Sequence, residues 1–295
     1  MDADLFKLDD GVREIGYTLL AGVLLALYVA RALVKKPAAD DESLRRELLG
    51  RHLSLSAMAL LGVTSAVGIA CLASPKIMDY AFREGGVFEA ISAGSFFSVL
   101  LLAGIYWIFL GDRSVVNTGL LLLGLGGFLD EISYGMRLFE FRAPVMGKIH
   151  IDGIHDVLEW MYRGESIAGL DSPAVLITAL ITVAGGVLLG AWWKRDWIVR
   201  AIGECLASPA LWYAPWILAF GFVSCAIDFG AWRMPFGGVR NIGPYVEEAL
   251  EMSTALALCY AWYANGRSRQ YQQSQNDSGA MPSPGIDETP ARYAA

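Results

Sequence analysis

Charge and polar chemistry are scarce in this chain of 295 residues: Asp, Glu, Lys and Arg together make up 18%, histidine occurs three times and cysteine four. An ordinary soluble domain is nearer a quarter charged, so this shortage argues against a solvated exterior. Basic residues are the scarcer sign, 23 against 30 acidic, giving a formal net charge of −7. No basic stripe with interleaved aromatics occurs, which excludes nucleic acid as a partner. Cys71, Cys205, Cys225 and Cys259 have no short pairwise spacing, so neither a zinc knuckle nor a disulfide framework is indicated. They read as small buried hydrophobes. The opening MDADLFKLDD is acidic where a secretory signal carries a positive segment, so the first apolar stretch reads as a retained helix.

What the chain has in abundance is apolar sequence, 55% of residues, with a mean hydropathy of +0.44. Crossing a hydrocarbon core takes about 20 predominantly apolar residues in a helix. Seven stretches answer to that length: Ile15–Leu33, Leu53–Ala73, Val87–Leu110, Ser114–Leu129, Ser172–Trp193, Ala207–Trp232 and Pro244–Ala264. The fourth is short and needs the turn containing Asp130 to complete it. The expected architecture is an all-α integral membrane bundle of about seven transmembrane helices over residues 1–265. An outer loop, 130–171, carries a short amphipathic helix in IHDVLEWMY. Residues 266–295, rich in Gln, Ser, Asn and Pro, are expected to be a disordered cytoplasmic tail.

Orientation follows from Lys and Arg in the loops near helix ends. Lys35, Lys36, Arg45, Arg46 and Arg51 fall in the first loop, Lys194, Arg195 and Arg200 in the fifth, and Arg267 and Arg269 after the last span. That set faces the cytoplasm and leaves the acidic N-terminus outside, as in a multi-pass protein of a bacterial inner membrane. Membrane lipids are the expected partners. Trp192, Trp193, Trp197, Trp212 and Trp216 stand where interfacial aromatic belts occur. Gly119, Gly124, Gly126, Gly127, Gly186 and Gly190 read as points of close helix packing.

On this topology the ionisable residues collect at the outer ends of spans. Glu89 opens the third, Asp130 and Glu131 close the fourth, Asp228 closes the sixth, and Glu247, Glu248 and Glu251 open the seventh. Glu251 lies about 10 Å along the axis from Pro244, a depth at which a carboxylate faces the bundle interior or a water-filled cavity. Glu247 and Glu251 are four apart and Glu248 and Glu251 three apart, so they share one side of the helix. Glu89 and Ser92 share a face of the third span. Continued helix past Leu129 sets Asp130, Ser133 and Arg137 on one stripe, and Glu131 and Tyr134 on the next. The fourth loop adds His150 and His155.

Three readings stand open. In the first, the acids are helix-end electrostatics on a scaffold. In the second, a metal-dependent enzyme acts on a lipid or lipid-linked substrate, with Asp130 or Glu131 as general base. Glu89, Ser92, Ser133, Tyr134, Arg137, Asp228 and Glu247 then line the pocket, and a divalent cation sits on His150, His155, Glu248 and Glu251, since carboxylates and neutral imidazoles suit such an ion. In the third, the same cluster binds a proton or cation in a transport or binding protein. Retinal is excluded by the lack of a lysine within the seventh span, and b-type haem by the lack of histidines inside the spans.

At DEISYGMRLFEF and VEEALEM the sequence resembles an uncharacterised family of polytopic bacterial inner-membrane proteins with an acid-acid-Ile-Ser-aromatic-Gly motif at the end of a span and paired Glu opening the last. Asp130, Glu131, Ser133, Tyr134, Gly135 and Arg137 match that pattern; Met136 replaces its Gln and Tyr134 its Trp. The resemblance implies a seven-span inner-membrane protein and no particular activity. A likeness to the alkaline ceramidase-like hydrolases stops at Glu89 and Ser92, because their late His-x-x-x-His is missing from the seventh span.

Overall fold

The structure, a computed structural model, describes residues 18–31, 41–72, 81, 86–132, 145–146, 149–150, 193–228 and 242–277. Seven α-helices carry almost all of them: α1 (Thr18–Arg31), α2 (Asp41–Leu72), α3 (Val87–Phe109), α4 (Val115–Glu131), α5 (Arg195–Ala207), α6 (Ala214–Asp228) and α7 (Gly243–Asp277). A 3-10 turn, Pro209–Tyr213, leads into α6. The one other regular feature among the described residues is a two-residue antiparallel ladder, β1 (Val145–Met146) with β2 (Ile149–His150), pairing Val145 with His150. The amphipathic segment expected beyond Gly153 and the fifth apolar stretch up to Trp192 lie outside the described residues.

Three of these helical segments are long and apolar enough to cross a membrane: Glu42–Ile69, Val87–Phe109 and Pro209–Asp228. Their outer faces carry large apolar side chains such as Leu60, 70% exposed, and Phe222, 76% exposed, a surface that water does not tolerate over such an area. The chain is therefore a membrane protein. Helix α7 is long enough but too polar along its length to join that set. Its place explains why: it packs against α2, α3, α4, α6 and the 3-10 turn, and residues 255–259 and 261–267 are all buried. It is solvated by other helices rather than by lipid, and Ala249, Ala255, Ala257, Ala261 and Ala264 let those neighbours come close.

Helix α2 runs antiparallel to α7 in a regular register. Arg267 meets Glu47 at 2.9 Å, Tyr263 meets Arg51, the Tyr260 hydroxyl lies 3.0 Å from Ser54 Oγ, and Gly62 faces Met252. Serines on α3 serve the seam with α7 in the same way: Ser98 Oγ lies 3.4 Å from Cys259 Sγ. Helices α3 and α4 form a hairpin turned by Gly111 at φ 67°, where only glycine is unstrained. Ser114 caps α4 by accepting from the Asn117 N–H, and the buried Asn117 side chain donates to the carbonyls of Ala103 and Asp112. Gly124 and Gly127 then bring α4 onto α3: a Cβ at Gly124 would sit 2.8 Å from Leu100 N, and one at Gly127 2.4 Å from the Phe96 ring. Gly119 does not share that role, having nothing within 4 Å of a built Cβ.

Helix α7 corrects the expected tail. Residues 266–277 are helical rather than disordered. The run RSRQYQQSQND contains no proline or glycine, and extending an existing helix adds one hydrogen bond per residue without a new nucleus. Arg267 pairs with Glu47 and Arg269 with Asp112, and Tyr271 packs on the core, so the extension is anchored over its first turns. Helix α2 likewise starts at Asp41, well before the apolar stretch that opens at Leu53.

Candidate functional site

The start of α3, the ends of α4 and α6 and the start of α7 meet at one end of the bundle, opposite the end that holds Glu47 and Arg267. Ser92, 1% exposed on the second turn of α3, donates from Oγ to Glu131 Oε1 at 2.7 Å. Glu131 is the last residue of α4. Among the described residues, the charged groups that act on its carboxyl are carboxylates: Glu251 and Glu248 on α7 and Glu89 on α3. Glu251 accepts a second hydrogen bond, from Ser224 Oγ on α6 at 3.2 Å. Beside Ser224, Cys225 lies in the field of Glu251, Asp228, Asp130 and Glu247. Seven carboxylates thus surround one junction of four helices, and Glu251 belongs to both halves of the group.

Local sequence accounts for each placement. Glu89 and Ser92 are one turn apart and both look from α3 toward α4 and α7. Asp130 and Glu131 are consecutive, hence about 100° apart around the helix, so Glu131 addresses Ser92 while Asp130 lies on the side of Cys225. On α7 the three- and four-residue spacings keep Glu247, Glu248 and Glu251 on one side. The two serines put a hydroxyl donor against each of the two deepest carboxyls.

Helix dipoles separate these acids into two kinds. Glu89 sits in the first turn of α3, where the positive end of the dipole favours it. Asp130, Glu131 and Asp228 stand at the C-terminal ends of α4 and α6, where the dipole disfavours negative charge. Helix-end electrostatics therefore accounts for the first and not for the last three.

Of the other residues expected here, Ser133, Tyr134, Arg137 and His155 lie outside the described residues, and His150 is described only as a backbone partner in the ladder. Helix α4 is described to Glu131, with the Ile132 N–H donating to the Phe128 carbonyl, and beyond Asp130 the stripe expected to run on through Ser133 and Arg137 lies outside the described residues. Among the described residues no group of three His, Cys, Asp or Glu is arranged to hold a metal ion. Ser224 is the member sequence reasoning passed over. Its signal was present: FVSCAID places a serine four residues before Asp228, the same carboxyl-and-hydroxyl pairing that singles out Glu89 and Ser92.

Comparison with protein families, with curated proteins and with solved structures gives no match.

Proposed function

We propose that this is a seven-span bacterial inner-membrane protein that takes up a proton or a cation among the carboxylates at its outer end, in a transport or binding role. The observation that carries the reading is Glu131. It ends a helix whose dipole opposes its charge, it accepts a hydrogen bond from a serine, and among the described residues the charged groups that act on it are carboxylates. Like charges in that arrangement are relieved by a shared proton or a bound cation, and intramembrane carboxylates at such junctions serve proton and ion pathways.

Support for seven spans is cumulative. To the three long apolar segments the described residues add the shorter apolar helix Thr18–Arg31, α4, and α7 at the centre, and the sequence adds Ser172–Trp193. Basic residues at the cytoplasmic ends support an external N-terminus. The likeness to an acid-acid-Ile-Ser-aromatic-Gly family agrees with this reading. A metal-dependent enzyme of lipids is the second reading, with His150 and His155, whose side chains lie outside the described residues, completing a ligand set with Glu248 and Glu251.

The test is thermal unfolding of the purified full chain across pH and with Na⁺, Mg²⁺, Ca²⁺, Mn²⁺ or Zn²⁺, in wild type and Glu251→Gln. A ligand at about 100 times its dissociation constant adds roughly 2.7 kcal/mol to the folded state, which such a scan detects. The reading expects a response to pH or to one cation that Glu251→Gln abolishes while folding is retained. Equal responses in both proteins would leave the acids as scaffold.

A further inference from the structure

At the opposite end of the bundle, where α1 ends and α2 begins, a cavity of about 270 Å³ opens between α1, α2 and α7. Its walls change character with depth. Arg51, Ser54, Tyr260 and Tyr263 supply polar groups at one end, and Leu25, Met58 and Leu256 supply apolar groups at the other. Met58 lies seven residues beyond Arg51 on α2, and Leu256 seven residues before Tyr263 on the antiparallel α7. Each step is about 10 Å along the axis, so the polar and apolar zones of the two walls coincide.

Arg51 sets the chemistry. Its guanidinium lies over the Tyr263 ring, 4.6 Å from the centroid, and among the described residues it donates one hydrogen bond, to the Tyr263 hydroxyl at 3.4 Å. A guanidinium carries five N–H donors, so the described residues leave most of them for a ligand in the cavity that Arg51 lines. Glu47, the nearest carboxylate acting on it, is already engaged: one oxygen accepts from Tyr263 and the other pairs with Arg267 at 2.9 Å. Among the described residues no carboxylate stands within ion-pair distance of Arg51. A cation held in place by an aromatic ring, with donors to spare and hydroxyls beside it, fits a phosphate group.

We propose that this cavity binds an anionic phospholipid from the leaflet at the basic end of the bundle, with its headgroup phosphate on Arg51 and the hydroxyls of Ser54 and Tyr260. The upper part of an acyl chain lies along Leu25, Met58 and Leu256 and runs out between α1 and α2, whose outward side chains include Leu24 and Leu61, 57% and 67% exposed. A cavity of this size holds a headgroup and the start of a chain rather than a whole lipid. Anionic lipids concentrate where basic loop residues gather, and Lys35, Lys36, Arg45 and Arg46 belong to this end of the sequence. The inference is independent of the carboxylate reading, since it uses neither those residues nor that end of the molecule.

The experiment is lipid titration of the delipidated full chain in detergent, read by thermal midpoint and by native mass spectrometry. The ligands are phosphatidylglycerol, phosphatidylcholine of the same acyl chains, and inorganic phosphate. Phosphatidylglycerol is expected to raise the midpoint saturably and to stay bound on ionisation. Arg51→Gln should weaken it by about tenfold or more, the loss of a charge-assisted contact, and Met58→Trp, which fills the apolar zone without touching Arg51, should weaken it comparably. Each variant's midpoint without lipid reports on folding, so one failed variant leaves the other to decide. Equal responses to phosphatidylglycerol and phosphatidylcholine, or undiminished phosphatidylglycerol binding in a folded Met58→Trp, would overturn the proposal. A shift with inorganic phosphate equal to that with phosphatidylglycerol would overturn it too, in favour of a soluble anion.

Discussion

The guanidinium of Arg267 lies 2.9 Å from the carboxylate of Glu47, a residue 220 positions away in the chain. Arg267 is 5% exposed and Glu47 27%, so the pair is largely withdrawn from water. Removing one partner of a buried pair leaves a stranded charge, at a cost of about 3 kcal/mol or more. Glu47→Gln should therefore lower the thermal midpoint clearly, whereas the double replacement Glu47→Leu with Arg267→Met should recover much of the loss. A double-mutant cycle in detergent measures this, and additive losses would show that the two side chains do not act as a unit.

The Ser92 hydroxyl should matter through Glu131 and not through packing. Ser92→Ala removes the donor to Glu131 Oε1 while filling nearly the same volume, so the fold should be kept at a cost of about 1 kcal/mol. Its pH profile of thermal stability should nevertheless differ from wild type, and combining it with Glu131→Gln should add little to that difference. A Ser92→Ala profile that overlays wild type would separate the serine from the carboxyl cluster.

Two glycines of α4 make opposite predictions. At Gly124 a methyl group meets the backbone nitrogen of Leu100 at 2.8 Å, and backbone cannot step aside, so Gly124→Ala should destabilise by about 1–3 kcal/mol. At Gly119 nothing lies within 4 Å, and alanine is the better helix former by about 0.8–1 kcal/mol, so Gly119→Ala should be neutral or stabilising. Unfolding of the two variants side by side decides whether α3 and α4 are in contact at that depth.

The helical extension of α7 should be structural. A chain ending at Asp277 keeps the Arg267–Glu47 and Arg269–Asp112 pairs, and one ending at Asn265 loses both. The shorter chain is expected to have the lower thermal midpoint and to lose helix signal by circular dichroism beyond the share of residues removed. Equal midpoints would mean that neither pair contributes.

Much of the architecture was legible because its signals are local. Runs such as Val87–Phe109 declare a membrane helix by composition, and the spacings among Glu247, Glu248 and Glu251 put them on one side whatever the helix packs against. The expectation of a disordered tail misses over residues 266–277 for the complementary reason. RSRQYQQSQND has the composition of a disordered segment, and what makes it helical to Asp277 is continuity with α7 and two arginine pairs to distant helices, none of which composition carries.

The sequence by itself determined a membrane protein and the set of acids at one group of helix ends, because hydropathy and helical periodicity depend only on neighbours in the chain. Tertiary structure alone decided that the polar α7 lies at the centre, that Glu131 faces Ser92 and three carboxylates, that Ser224 joins Glu251, and that Arg51 looks into a cavity while Arg267 takes Glu47. Those pairings depend on which helices lie side by side. That choice comes from packing of alanine, glycine and serine faces across long sequence separations, where no short-range pattern specifies the partner.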